Sequence, residues 1–204
     1  MIGSIVVKTA FVGALFSTLA YFLAFTRKDE TWATRARYAF YVAALGTFVA
    51  ASLLMYFILT HQFQYTYVWS YSSTALPTHY LISTFYAGQE GSFTLWALFT
   101  AVIGLILMQY AGKKGYEAEI MAVFALIEVF LLLMLIIKNP FEYVWQSFPK
   151  EVEAGFVPAN GRGLNPLLQN YWMVIHPPIL FVGFASMSVP FAHAVAALIK
   201  RDYH

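Results

Sequence analysis

Five stretches of the chain stay apolar long enough to cross a bilayer, and polar or charged residues return between them. They are residues 2–25, 38–60, 93–110, 120–137 and 173–199. About 20 apolar residues, rising about 1.5 Å each, cover a hydrocarbon layer of about 30 Å. The pattern predicts an all-α integral membrane protein, a bundle of five transmembrane helices with two long extracytoplasmic loops, forming a single membrane domain over residues 1–204. The first stretch has no charged leader before it and no small-residue cleavage site after it, so it reads as a retained span.

The cationic residues give the expected orientation. Arg27, Lys28, Arg35 and Arg37 lie between the first two spans, Lys113 and Lys114 between the third and fourth, and Lys200 and Arg201 after the fifth. Those segments are expected to be cytoplasmic, with the amino terminus outside and the carboxyl terminus inside. The other two connections run to roughly 30 residues, against about 2–8 in compact helical folds, so the working face is expected to be extracytoplasmic. In the first of them Tyr65, Tyr67, Trp69 and Tyr71 alternate. They suit either an interfacial aromatic belt or a flat platform for a ligand. The second is rich in Pro and Gly and predicts an irregular lid with a short surface helix.

Composition narrows the function classes. With 60% hydrophobic and 11% charged residues the chain cannot build the polar skin of a water-soluble domain. Its net charge of +2 follows from the topology and needs no nucleic acid partner. Its solvent is membrane lipid. The chain has no cysteine, which excludes disulfides and thiol chemistry of its own but not thiols on a partner.

The candidate chemistry centres on His176, which precedes Pro177 and Pro178 where the fifth span opens. A residue before proline is biased toward extended backbone, and proline suits the first turn of a helix. The fifth span is therefore expected to start at about Pro177, with His176 extended at its outer mouth. A helix N-terminus disfavours a protonated imidazole, which leaves a ring nitrogen free for a metal. His176 is a candidate axial ligand for haem iron, the alternative being an interfacial histidine that caps the helix. Glu128 lies inside the fourth span as a proton relay or as a protonated acid bonded to a neighbouring Ser or Thr. His61 and His79 lie beside the aromatic loop and are further candidates on the same side. His193 is about 25 Å further along the span, at about 1.5 Å per residue, and cannot reach the same iron. Lys8 can snorkel to the outer interface. Gly183, Ala185, Ser186, Ser188 and Ala192, around Pro190, predict a fifth helix packed inside the assembly.

The run LNPLLQNYWMVIHPPILFVGFASMSVPFAHAVAAL, residues 164–198, resembles the CcmF-type family of cytochrome c maturation proteins, haem lyases of the CcmF, CcmC and CcsA haem-handling superfamily. So do YSSTALPTHYLISTFYAGQEGSFTLW, residues 71–96, and the NPF of residues 139–141. The resemblance covers most of the chain in the same order. It implies that haem, b-type before attachment, is presented at the outer face of a bacterial inner membrane. There it would be joined by thioether bonds to the C-x-x-C-H motif of an apocytochrome c. It implies that His176 is an outer axial ligand, with Pro177 and Pro178 part of the haem-presenting motif. Gln89 and Glu90 of the G-Q-E-G-S turn are further cofactor candidates, although a Glu in a first helical turn is also an ordinary charge–dipole arrangement.

Members of that family are longer and carry a tryptophan-rich WWD segment, a second outer histidine and transmembrane histidines. The chain has no W-G-x-W-W-x-W-D and resembles the amino-terminal part of such a protein. The resemblance therefore implies no catalytic residue of its own. The haem would be shared with a partner chain, either a second haem-lyase polypeptide or another maturation subunit. The alternative is a structural or assembly subunit without lyase activity. A small transporter is disfavoured by the absence of repeats or paired broken helices.

Overall fold

The computed structural model describes residues 2–201, and the elements follow from where the chain can cap a helix. Helix α1 runs Ile2–Arg27, and α2 runs Glu30–Leu59 after Asp29, whose side chain accepts the Thr31 N–H. That hydrogen bond holds the Asp29 carboxyl below its usual range. Two short helices follow, α3 (Thr66–Tyr71) and α4 (Thr78–Ser83), with a 3-10 turn at Thr84–Tyr86. Helix α5 (Gln89–Lys114) ends on Gly115 at φ +77°, the left-handed angle that stops a helix. Helices α6 (Glu117–Ile137) and α7 (Val144–Ser147) come next, then a 3-10 turn at Pro166–Leu168 and α8 (Tyr171–Lys200).

Five of these helices are long and apolar enough to span a membrane, as the sequence predicts. Their ends differ from the apolar limits because polar residues extend them. Helix α2 begins at Glu30 rather than at residue 38, and α5 begins at Gln89 and runs to Lys114 rather than over residues 93–110.

Helices α1, α2, α5 and α6 close a four-helix bundle, and α8 lies outside it against α5 and α6. The α1–α2 seam is built from small residues: a Cβ on Gly46 would lie 2.9 Å from that of Ala10, and one on Gly13 would lie 3.1 Å from the Ala39 carbonyl oxygen. Close approach of this kind is how helices associate in lipid. Helix α8 buries Ala185, Ser188, Ala192 and Ala196. Its other faces are open, with Ile179 at 65% and Met187 at 68% exposure. Within this chain it is therefore a flanking helix. Gly183 faces open space, and only one stripe of α8 is used.

The two ends of the bundle differ. At the basic end Arg37 grips Glu117 through Nε at 2.7 Å and Nη2 at 2.9 Å, the Tyr21 hydroxyl donates to the same carboxylate at 2.8 Å, and Lys200 pairs with Glu119 at 2.9 Å. At the loop end the Asn139 amide donates to Ser4 Oγ at 2.8 Å, and Phe141 packs on Gly3, so the N-P-F motif plugs α1 against the end of α6.

Midway between these ends Glu128 is wholly buried. Its Oε1 accepts from the Thr47 hydroxyl at 3.2 Å, while its Oε2 and the buried Thr100 hydroxyl have no partner. The α5–α6 register, set by Gly104 against Phe124, places Thr100 level with Glu128. A site with one hydrogen bond and no counter-charge suits a neutral group. Replacement of Glu128 by Gln is accordingly expected to shift stability by less than about 1 kcal/mol, the net value of one hydrogen bond. Glu128→Lys should prevent assembly. Thermal unfolding in detergent distinguishes the two, and equal loss in both variants would refute this account.

Candidate functional site

The alternating aromatics of the first long connection lie on the coiled α3 and at its N-cap rather than on an extended strand. On a helix the residues four apart share a face. Tyr67 and Tyr71 therefore meet, with ring centroids 4.8 Å apart. Tyr65 stacks on Phe57 at 4.4 Å and on Tyr143 at 5.1 Å, and Tyr143 stacks on Trp145 at 4.4 Å. An isolated antiparallel bridge joins Tyr65 to Tyr143. Arg162 lies over the Trp69 ring at 4.1 Å, and its N–H donates to the Trp69 carbonyl at 2.8 Å. The second long connection is thereby bound to the first, and the two form one cap over the loop end of the bundle.

Tyr67 is the knot of that cap. Its buried hydroxyl lies 2.9 Å from the Thr84 and Phe85 carbonyls, to which it donates, and it accepts the Gly88 N–H at 3.1 Å. The glycines of G-Q-E-G are explained by the same packing: a Cβ on Gly91 would collide with the Phe85 carbonyl and the Tyr67 hydroxyl, and one on Gly88 with the Tyr71 ring. Burial pushes the Tyr67 hydroxyl well above its ordinary value. A raised folded value means that its stabilisation is full below the unfolded tyrosine range near about pH 10 and fades only above it. Tyr67→Phe is expected to lower stability by about 1–3 kcal/mol at neutral pH. The difference from wild type should be constant from about pH 6 to 9 and should shrink above about pH 10, which unfolding monitored across that range will test.

Against this cap stands the mouth of α8. Asn170 caps the helix, accepting the Met173 N–H at 3.1 Å, so the helix starts at Tyr171 and His176 lies inside it. The expected extended His176 and a start at Pro177 are corrected: the Asn170 cap initiates the helix earlier, and both prolines are helical. With His176 beyond the first turn, the helix-terminal charge no longer bears on its ring. Its side chain is exposed and lines an open cleft of about 320 Å³ with Leu168, Asn170, Trp172, Met173 and Pro177. Trp172, one turn earlier on the same face, is 70% exposed. An accessible imidazole beside an indole and apolar side chains suits a flat, largely apolar ligand carrying a metal.

The other candidates are not brought into this cleft. His79 is exposed on α4, its ring against Tyr80 at 4.2 Å. His61 lies in the turn after α2 with its ring 5.6 Å from Phe63. Gln89 and the half-buried Glu90 occupy the first turn of α5. His193 bonds the Val189 carbonyl through Nδ1 at 2.9 Å. Among the described residues no three His, Asp or Glu side chains converge to hold a metal. One participant escapes sequence reasoning: Tyr86, whose hydroxyl donates to the Val174 carbonyl in α8 at 2.8 Å. The signal for it is the double proline itself.

A family model described as cytochrome C assembly protein matches residues 86–204. The cytochrome c-type biogenesis protein CcmF of Pseudomonas fluorescens is 34% identical over 176 residues, 84% of this chain and 25% of that protein. The cytochrome c-type biogenesis protein NrfE of Haemophilus influenzae is 30% identical over 205 residues, 98% of this chain and 31% of the relative. A solved structure of the cytochrome c haem lyase CcmF superimposes with a TM-score of 0.78 at 28% identity, covering 98% of this chain and 30% of that one. The chain thus spans about a quarter to a third of the length of these proteins.

Proposed function

Because the chain belongs to the cytochrome c assembly protein family, we propose that it is a haem-handling subunit of cytochrome c biogenesis that presents haem for attachment to an apocytochrome c. The observation that carries the reading is the exposed His176 in an apolar cleft at the mouth of α8. When bound, haem supplies the iron that an imidazole can ligate and the porphyrin groups that join the cysteine thiols of the client. His176 offers the iron a ring nitrogen. Trp172, Met173 and Leu168 supply apolar walls for the macrocycle, and the cap braces the helix on which they sit. The cleft is open, which leaves room for a second polypeptide to cover the other face of the haem.

We place the protein in the bacterial inner membrane with the cap extracytoplasmic, as the positions of Lys113, Lys114, Lys200 and Arg201 support by their segregation from the cap. Deleting the gene should abolish c-type cytochromes, detected by their covalently bound haem. Wild type should restore them, and His176→Ala should not. Full restoration by His176→Ala would favour a structural or assembly subunit instead.

A further inference from the structure

Two prolines in succession do what one cannot. A helical carbonyl accepts from the N–H four residues on or, in a tighter turn, three residues on. For Val174 these positions are Pro178 and Pro177, and neither has an N–H. The Met173 carbonyl loses only its partner at Pro177 and keeps the N–H of His176 within reach of the tighter turn. The Val174 carbonyl has no donor at either of these positions. Such a backbone group needs a donor from elsewhere.

Tyr86 is that donor, at 2.8 Å. It is 8% exposed, and its own carbonyl accepts from Ser92 Oγ at 3.0 Å. It follows Thr84 and Phe85, whose carbonyls are held by Tyr67. The bond therefore joins the most tightly knotted part of the cap to the turn of α8 that carries His176, two residues beyond Val174. Around that turn Tyr171, Trp172, Ile179 and Leu180 are exposed, whereas Met173 and Phe181 pack against the bundle, so the Tyr86 bond is the side-chain hydrogen bond that fixes the turn itself.

We propose that Tyr86 is the positioning residue for His176: by occupying the carbonyl that the two prolines strip bare, it sets the helical turn and so the direction of the imidazole. The inference rests on the reading of His176 as a haem ligand. Tyr86 touches neither ligand nor client and acts only through the backbone of α8. The second proline thus gains a purpose, because it makes the register of α8 depend on the cap rather than on the helix alone.

The test is titration of the detergent-purified chain with hemin, followed by the Soret band. The proteins compared are wild type, Tyr86→Phe, Pro178→Ala, the double variant and His176→Ala. Tyr86→Phe keeps the ring, and circular dichroism reports whether the helices are retained. It should weaken hemin binding about tenfold, as expected for a residue that orients a metal ligand, and should shift the Soret maximum at saturation. In the Pro178→Ala background the new N–H serves Val174, so the same Tyr86→Phe change should alter affinity less than about twofold, the mark of coupled sites. The proposal is overturned if Tyr86→Phe binds and absorbs like wild type while His176→Ala is impaired. It is overturned equally if Tyr86→Phe costs the same in both backgrounds. If His176→Ala binds hemin like wild type, the ligand reading itself fails and this inference falls with it.

Discussion

Replacing His176 by Gly is expected to weaken haem binding by more than about a hundredfold, beyond the 10–100-fold that follows loss of a residue merely orienting a metal ligand. Among the described residues the imidazole is the only nitrogen ligand lining the α8 cleft, whose other lining residues are Leu168, Asn170, Trp172, Met173 and Pro177; the Met173 thioether is a softer donor that does not reproduce its spectrum. No neighbouring histidine lines the cleft to substitute for it. The glycine variant leaves a space of the right shape, so added imidazole should restore the wild-type Soret position. A haem site that only used His176 for packing would regain affinity with any small ring, benzene included, and its spectrum would not respond to imidazole in particular. Hemin titrations of the glycine variant with and without imidazole make the distinction. Unchanged affinity in the variant would remove His176 from the site.

The second large effect concerns stability at the other end. Glu117 is 7% exposed and accepts from Arg37 twice and from Tyr21 once. Glu117→Ala strands a guanidinium and a phenol that were hydrogen-bonded, at a cost of about 3 kcal/mol, the lower end of the range for breaking a buried pair. Arg37 is partly exposed and keeps Glu30 at 2.9 Å, which argues for that lower end. Glu30→Ala, by contrast, removes a partner that is 77% exposed and should cost less than about 1 kcal/mol. Thermal unfolding of the two variants in one detergent gives the comparison. Similar midpoints would show that the pair is not the clasp between α2 and α6.

What could be read from the sequence, and what could not, divides along physical lines. The five spans were legible because bilayer thickness dictates their length, and a spanning backbone must satisfy its own hydrogen bonds. Their ends were not, since hydropathy is silent about the polar caps: Asp29 starts α2 early, and Asn170 starts α8 before the prolines. The location of His176 at the mouth of the last span was legible from His-Pro-Pro. Its conformation was misread, because the rule for residues before proline is local, whereas Tyr86 satisfies the stripped Val174 carbonyl from a distant part of the chain. The alternation of Tyr65, Tyr67, Trp69 and Tyr71 suits a belt or a flat platform, whereas the coil of α3 brings Tyr67 and Tyr71 together at a tilt. The Arg37–Glu117 clasp joins residues remote in sequence and leaves no mark in hydropathy. Glu128 reads from the sequence either as a proton relay or as a protonated acid beside a Ser or Thr, and its Oε1 accepts from the Thr47 hydroxyl.

Haem handling at the mouth of α8 is tested by the absorption spectrum of the wild-type chain, purified in detergent with and without the products of neighbouring genes. A Soret band should accompany the chain, at least when those products are present. A preparation that carries those products and yet shows no haem absorption would contradict this role.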